Sequence, residues 1–392
     1  VQSGSLRNFS SLQSSGSMTP GRSTIASDRS ERGGQIKPSE LVRDLDSAIA
    51  ACRETYRLTI SGYSVQIDAE GRYFVNNSEV VNSRIETLKA ALTQLGGDPA
   101  KQPVVLRADA RTQHQSVVTA MDALAHRARV IITTVGPYQK YGEPLLAACA
   151  RNGTDYIDLC GEPNWMAAMI EKYEAAAKQS GARIVFSGGF DSIPFDCGVW
   201  FVQQEALKRF GAPARSVRGR MRKMKGTFSG GTMASMLATF DAMKRDPGLA
   251  ERMSDPFALS PSRLVTQPSG DGVIHEQDIP SWSAPFVMAA INTKNVHRTN
   301  ALRGYPYGRE FTYSEMMLTG DGKAGEKRAR AAANQSKMQQ SLLSFPPTRA
   351  LLRQFALPKP GQGPNKEQRE TGMFDVLLVA DAGDGRQLRA GV

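Results

Sequence analysis

The sequence predicts an α/β protein, a parallel sheet followed by a region of mixed α+β character. Three observations predict it. Arg129 to Gly198 holds three β-branched runs, RVIITTVG, TDYIDLCG and ARIVFSGG, separated by helical patterns. Strand, loop and helix in alternation build a parallel sheet. Hydrophobic residues make up 40% of the 392 residues. That supports two or three cores at roughly 100–200 residues per domain. Beyond about residue 214 the pattern changes to longer alternating strands and isolated helices.

Taken in order, residues 1–37 are rich in Ser, Gly and Arg and lack apolar periodicity, so they are expected to be disordered. Residues 38–56 place Leu41, Leu45, Ile49 and Cys52 on one helical face. Val65 and Ile67, a turn at Glu70-Gly71, and Tyr73 to Val75 read as a β-hairpin. Ser83 is placed to cap a helix through Ile85, Leu88, Leu92 and Leu95 that stops at Gly96-Gly97. Pro103 to Arg107 is a short strand, Gln113 to His126 a helix, and residues 129–135 the next strand. Helices are expected over Glu143–Asn152, Asn164–Ser180 and Ile193–Phe210, the last with Pro194 in its first turn.

Ser216 to Lys225 alternates as a strand, and Ser229-Gly230-Gly231-Thr232 opens a helix. Residues 246–285 read as a long irregular segment, 285–292 as a strand, and Glu326–Phe345 as a helix. Prolines punctuate the tail before a terminal β-hairpin that turns at Gly383–Gly385. The boundaries this suggests are 1–37, 38–102, 103–213 and 214–392. The first residue is Val1, and the last strand stops at Val392, which suggests part of a longer chain.

The formal net charge is +11, spread over short runs such as 218–225 and 323–330 without interleaved aromatics, so no nucleic-acid partner is expected. Cys52, Cys149, Cys160 and Cys197 form no CxxC pair and suit a reducing compartment, and Cys149, Cys160 and Cys197 read as buried small hydrophobes. No metal-ligand spacing is present. No apolar run reaches the ~18–20 residues of a transmembrane helix, and no secretory h-region opens the chain. The expectation is a cytoplasmic protein with scope for membrane association.

Ligands of open parallel sheets bind outside the C-terminal ends of the strands. Three loops fall there. In TTVGPY, Thr134 ends the strand, Gly136 frees the backbone, Pro137 stiffens the turn and Tyr138 offers a flat face and a hydroxyl. This loop can pack on a nicotinamide or ribose, or be an ordinary strand-to-helix turn. In DLCGEP, Gly161 precedes Glu162, whose carboxylate can bind a ribose hydroxyl or an amine, act as a base, or face a helix macrodipole. The last of these suits its position best. In SGGFDS, Gly188 and Gly189 let the backbone close in, and Asp191 or Ser192 can cap the following helix. Ser229, Gly230, Gly231 and Thr232 form a second glycine-rich helix start, with amide groups able to hold a substrate carbonyl or phosphate. His297 is the one histidine set among hydrogen-bonding residues. No strand followed by G-x-G-x-x-G precedes residue 129, so the phosphate grip of a dinucleotide domain has no visible counterpart.

From about Arg127 to Val392 the chain resembles the saccharopine-dehydrogenase-like oxidoreductases, in their trans-acting enoyl reductase branch. The resemblance is carried by TTVGPYQKYGEPL (133–145), GTDYIDLCGE (153–162), GARIVFSGGFDSIPFDCG (181–198), SGGT (229–232), APFVMAAINTKNVHRTNAL (284–302), YGREFTYSEMMLTGDG (307–322) and LPKPGQGP (357–364). It implies a Rossmann-like parallel sheet, here incomplete at its N-terminal half, followed by an α+β substrate domain. It implies NADP or NAD as cofactor and hydride transfer to an enoyl or carbonyl group of a small-molecule or lipid-linked substrate, with a homodimer among the assemblies allowed. Thr134, Gly136, Pro137, Tyr138, Gly161, Glu162, Gly189 and Asp191 would then face the cofactor, and Ser229 to Thr232 the substrate. Tyr138 is the least poor candidate for a proton donor.

Residues 63–125 resemble instead the periplasmic domain of ExbD/TolR-type proteins, through VQIDAEGRYFVNN (65–77), IETLKAAL (85–92) and PVVLRADARTQHQSVVTAMDAL (103–124). The last segment also reads as the third strand and helix of a Rossmann sheet, which would set Asp109 near an adenine. The alternative function is therefore a non-catalytic interaction module, or an inactive chimera of the two.

Overall fold

The computed structural model describes residues 63–96, 104–108, 113–134, 136–246, 248–355, 357–358 and 362–392. The expected disordered segment, the helix over 38–56, and Asp109 lie outside the described residues. Three sheets organise the rest.

The first sheet has the order β3-β2-β1-β4, from Tyr63–Ile67 (β1), Tyr73–Val75 (β2), Ser78–Glu79 (β3) and Val104–Ala108 (β4). β1 and β2 are antiparallel across the expected turn, where Gly71 takes φ +81°, a conformation that favours glycine. Alternation in β1 buries Val65 and Ile67 against Leu88 and Leu92 of α1 (Ile85–Gln94) and Ala120 and Leu124 of α2 (His114–Ala125). Ser83 does not cap α1. Its hydroxyl donates to the Gly71 carbonyl, and Arg84 holds the cap position.

The second sheet is parallel, in the order β5-β6-β7, from Val130–Thr133 (β5), Asp155–Asp158 (β6) and Ile184–Val185 (β7). Between β5 and β6 lie α3 (Tyr138–Tyr141) and α4 (Glu143–Asn152), and between β6 and β7 lies α5 (Pro163–Ser180). Gly153 and Gly181 end α4 and α5 in the left-handed conformation at φ +73° and +83°. Ile131, Tyr156 and Ile184 point at one core with Leu146, Trp165 and Met166. On the opposite face Val130 and Ile132 are exposed. A parallel sheet is ordinarily covered on both faces.

The segment Pro103–Arg107 also reads as the third strand of a Rossmann sheet. β4 pairs in parallel with β1, Val65 opposite Leu106, in the first sheet. The reason is local burial: β4 and β1 share the core that α1 and α2 cover. α2 packs on both α1 and α4 and so joins the two layers.

The third sheet is mixed, in the order β13-β12-β8-β11-β10-β9. After β7 the chain enters α6 (Ile193–Phe210), then β8 (Ser216–Lys225), α7 (Gly230–Arg245) and α8 (Gly248–Ser254). β9 (Ile274–Glu276), β10 (Ser281–Pro285), α9 (Ala289–Leu302), β11 (Thr312–Gly320), α10 (Gly322–Ser344), α11 (Pro346–Phe355), α12 (Lys366–Glu370), β12 (Met373–Asp381) and β13 (Gln387–Gly391) complete it. The strand expected over 285–292 is corrected. β10 ends at Pro285, and Ala289 begins a helix whose buried Ile291 and Val296 pack inward. Cys149 and Cys160 are buried as expected, whereas Cys197 is exposed.

α6 starts at the edge of the parallel sheet and lays Phe195, Val199 and Val202 on Val217, Tyr313 and Leu378 of the mixed sheet. Contact is so close at Gly198 that a Cβ there would sit 2.5 Å from Leu378. One rigid helix thus ties the glycine-bearing edge to the second core.

Candidate active site

The three loops at the C-terminal ends of β5, β6 and β7 are tied together by two buried carboxylates. Asp158 ends β6 with its side chain turned inward. Its Oδ1 accepts from the Cys160 and Ser187 amides, both at 2.9 Å, and its Oδ2 accepts from the Tyr156 hydroxyl at 3.0 Å. The Gly188 amide donates to the Asp158 carbonyl at 2.6 Å. The DLCGE and SGGFDS loops are therefore bound to one residue. Burial pushes the Asp158 carboxyl up to about 7, against the pull of its three hydrogen bonds. Gly188 is needed here, because a Cβ would lie 2.5 Å from Ile157.

Glu162 performs the same task for the TVGPY loop. Its Oε1 accepts from the Tyr138 amide and its Oε2 from the Gln139 amide, each at 2.9 Å. These are first-turn amides of α3, which lack intrahelical partners, so the carboxylate serves both their hydrogen bonding and the positive end of the helix. The sequence sets Glu162 at the N-terminus of the helix it precedes; its carboxylate instead meets the first-turn amides of α3. Both oxygens are engaged and the side chain is buried.

Tyr138 is buried too. Its hydroxyl donates to the Thr133 carbonyl and accepts from the Leu159 amide, both at 3.2 Å. Its ring lies 5.6 Å from that of Trp165. Desolvation raises its pKa further above the ordinary tyrosine value. As placed, it braces the loop from beneath and does not present a proton outward.

Thr134 and Gly161 are exposed at the edge, and Gly136 and Gly189 are half-buried beside them. Asp191 is exposed, with its carboxyl raised by the surrounding protein; its carbonyl accepts from Asn292 of α9 at 3.0 Å. No side chain caps α6, so the capping expected of Asp191 or Ser192 is not made. Asn292 also donates to Glu315 at 3.0 Å, and Glu315 accepts from the Tyr313 hydroxyl at 2.7 Å. Burial lifts Glu315 to about 8.

The TVGPY loop meets α7 one to two turns past SGGT. A Cβ on Gly136 would lie 3.0 Å from Ser235 Oγ, and Gln139 Nε2 donates to Thr239 Oγ1 at 3.2 Å. Ser229 caps α7 by accepting from the Thr232 amide, and the Gly230 amide donates to the Gln362 carbonyl. Gly230 is buried while Gly231 is half-buried and Thr232 exposed. Sequence reading missed Asp158, Gln139, Ser235 and Thr239. An acidic residue ending a buried strand was the available signal for Asp158; nothing local marked the others. His297 is buried and pushed down to about 4 by desolvation, away from the edge, against Phe257.

Comparison with known proteins decides the family. A trans-acting enoyl reductase of Mycobacterium bovis (strain BCG / Pasteur 1173P2) is 32% identical over 321 residues, 78% of this chain and 74% of that protein. One from Mycobacterium ulcerans (strain Agy99) is 34% identical over 303 residues, 74% and 71% of the two chains. The chain belongs to the trans-acting enoyl reductase family. A Mycobacterium tuberculosis (strain H37Rv) protein named provisionally as such a reductase is 37% identical over 310 residues, covering 73% of this chain and 70% of its own.

Within this reductase-family chain, residues 57–135 also match the family model of the biopolymer transport protein ExbD/TolR. That span takes in the whole first sheet and β5. A solved ABC transporter substrate-binding protein from Desulfitobacterium hafniense aligns over 83% of this chain and all of its own at 12% identity. Its TM-score is 0.13, too low to bear on the fold. Among the described residues, no helix is long and apolar enough to cross a membrane.

Proposed function

We propose that this protein reduces an enoyl group by hydride transfer from NADPH or NADH, at the edge formed by the TVGPY, DLCGE and SGGFDS loops. Family membership carries the reading, since relatives sharing 32–37% identity are named trans-acting enoyl reductases. We further read β5 to β7 as the second half of a Rossmann-like domain and residues 214–392 as the substrate domain. The bare face of β5 supports the first of these, because a further layer would cover Val130 and Ile132.

The described residues suit one end of the cofactor better than the other. Gly161 has open space above its Cα, with nothing within 4 Å of an added Cβ, so a flat ring can approach the backbone. No described strand runs into a G-x-G-x-x-G loop that would hold a pyrophosphate. When bound, the nicotinamide would supply the hydride to one alkene carbon, and water at the open edge the proton to the other. The protein's part is orientation. Glu162 holds the first turn of α3, Asp158 locks Cys160 and Ser187, and α6 carries the edge against the substrate domain. Thr134, Gly136, Pro137, Tyr138, Gly161, Glu162, Gly189 and Asp191 build the cofactor side of this proposal, and Ser229 to Thr232 the substrate side. A lipid-linked enoyl group is the substrate class we favour, acted on in the cytoplasm by a chain free to dimerise. Titration with NADPH and NADH, followed by nicotinamide fluorescence, tests cofactor binding; no binding at millimolar cofactor would refute it.

A second reading has its own support. The four-stranded sheet with α1 and α2 has a core of its own and falls within the ExbD/TolR match. That unit would act as an interaction module, pairing with a partner through a sheet edge. A pull-down dependent on residues 57–135 and indifferent to cofactor would favour it.

A further inference from the structure

We propose that the cavity between the end of β11 and α10 binds a single-chain anionic amphiphile, with its acyl chain on an apolar wall and its head group on Arg328. The cavity has a volume of about 570 Å³ and opens to solvent. The volume is in the range of small-molecule sites, but the depression is shallow, so a bound chain would keep one side in solvent. Ile279, Pro280, Met317, Leu318 and Ala332 make its wall apolar. Its polar groups are few and mostly engaged. The Ser281 hydroxyl donates to the Trp282 carbonyl and accepts from the Gly320 amide, and Thr319 Oγ1 donates to the Trp282 carbonyl.

Two guanidinium groups also line the cavity, and they differ. Arg222 is already matched, with Nη2 2.5 Å from Asp375. Arg328 donates through Nε to the Thr319 carbonyl at 2.7 Å, and among the described residues no carboxylate lies within ion-pair distance of it. α10 adds Lys323, Lys327, Arg330 and Lys337 against one carboxylate, Glu326, which pairs with Arg330. The local field therefore favours an anion. A guanidinium fork accepts a carboxylate or a phosphate in two parallel bonds, and the wall beside it accepts methylenes. An acyl anion satisfies both surfaces together, whereas a neutral chain or a bare anion satisfies one. These residues lie within the proposed substrate domain but outside the loops of the proposed reduction site, so binding here can be read without turnover.

The test is calorimetric titration of the full chain with dodecanoate below its micellar range, with dodecanol and inorganic phosphate as separate arms. Dodecanoate is expected to bind saturably. Arg328→Gln should weaken it about tenfold or more, the scale of one charge-assisted contact. Arg328→Lys should lose less, and Leu318→Asp should abolish binding. Arg328 is exposed, so Arg328→Gln is expected to keep the parent's melting profile, which circular dichroism checks. Equal binding of dodecanol and dodecanoate, or an unchanged affinity in Arg328→Gln, would overturn the role of Arg328. Phosphate binding as tightly as dodecanoate would overturn the acyl wall. No saturable binding of dodecanoate would overturn the site.

Discussion

Replacing Asp158 with Asn should make the protein's stability less sensitive to pH between about 4 and 7. In the folded state burial lifts this carboxyl from 3.8 to about 7. A group with a raised folded pKa contributes stability that is fully present below its unfolded pKa, and that is lost as pH rises through the folded one. At about 1.4 kcal/mol per pH unit over the roughly three units between those values, the loss approaches about 4 kcal/mol. Asn keeps the geometry. Its Oδ1 can accept from Cys160 and Ser187 as Asp158 Oδ1 does, and its amide can donate to the Tyr156 hydroxyl, which reverses its role. Glu315 and Asp196, raised to about 8 and about 6 by burial, push the parent the same way, so the parent-minus-variant difference isolates Asp158. Urea unfolding followed by tryptophan fluorescence at several values between pH 4.5 and 7.5 reads it. Asp158→Asn should gain on the parent steadily as pH rises. Parallel pH profiles would refute the reasoning.

Other substitutions probe the same edge. Glu162→Ala leaves the Tyr138 and Gln139 amides without their acceptor and should cost about 3 kcal/mol in denaturant unfolding, at 1–3 kcal/mol for each unsatisfied group; a cost below 0.5 kcal/mol, read the same way, would remove Glu162 as the tie. Gly188→Ala should destabilise by about 1–3 kcal/mol in the same assay, because its Cβ would meet Ile157 at 2.5 Å. Glu315→Gln should leave the melting temperature near the parent's at pH 6, since it can still meet Tyr313 and Asn292. Glu315→Ala should lower it by several degrees, consistent with a lost buried hydrogen bond plus a small cavity.

The elements that the sequence revealed were those with both a local stop signal and a regular period. α4 and α5 could be placed to within a residue, with Gly153 and Gly181 closing them in the left-handed conformation, and Pro194 marked the start of α6. β8 and the terminal hairpin followed from alternation. Failures came where tertiary contacts outweighed local pattern. The apolar run PFVMAAIN fits a strand or a helix equally, and burial of Ile291 and Val296 on one face selected the helix. α8, inside the expected irregular segment, and α11, among the tail prolines, are short helices whose start residues read equally well as breakers. β4 fits two sheets by pattern, and in the structure it pairs with β1.

The site was half legible. Its glycine loops could be located, because a parallel sheet puts them at one edge. The bonds that hold that edge could not, since Glu162 reaches back 24 and 23 residues to its partners, and Asp158 reaches forward 29 to Ser187. Such separations leave no trace in a periodicity. Tyr138 is a candidate for its hydroxyl, which the structure engages with the backbone of residues 133 and 159, the second of them 21 residues away.

The central claim is enoyl reduction by hydride transfer from a nicotinamide. Its most direct test is to incubate the full chain with an enoyl thioester and, in separate arms, NADPH and NADH deuterated at the transferable position, then measure the product by mass spectrometry. The account predicts a saturated product carrying deuterium from the cofactor, formed only with protein present. Unreduced thioester at saturating cofactor, or a saturated product without deuterium, would contradict it.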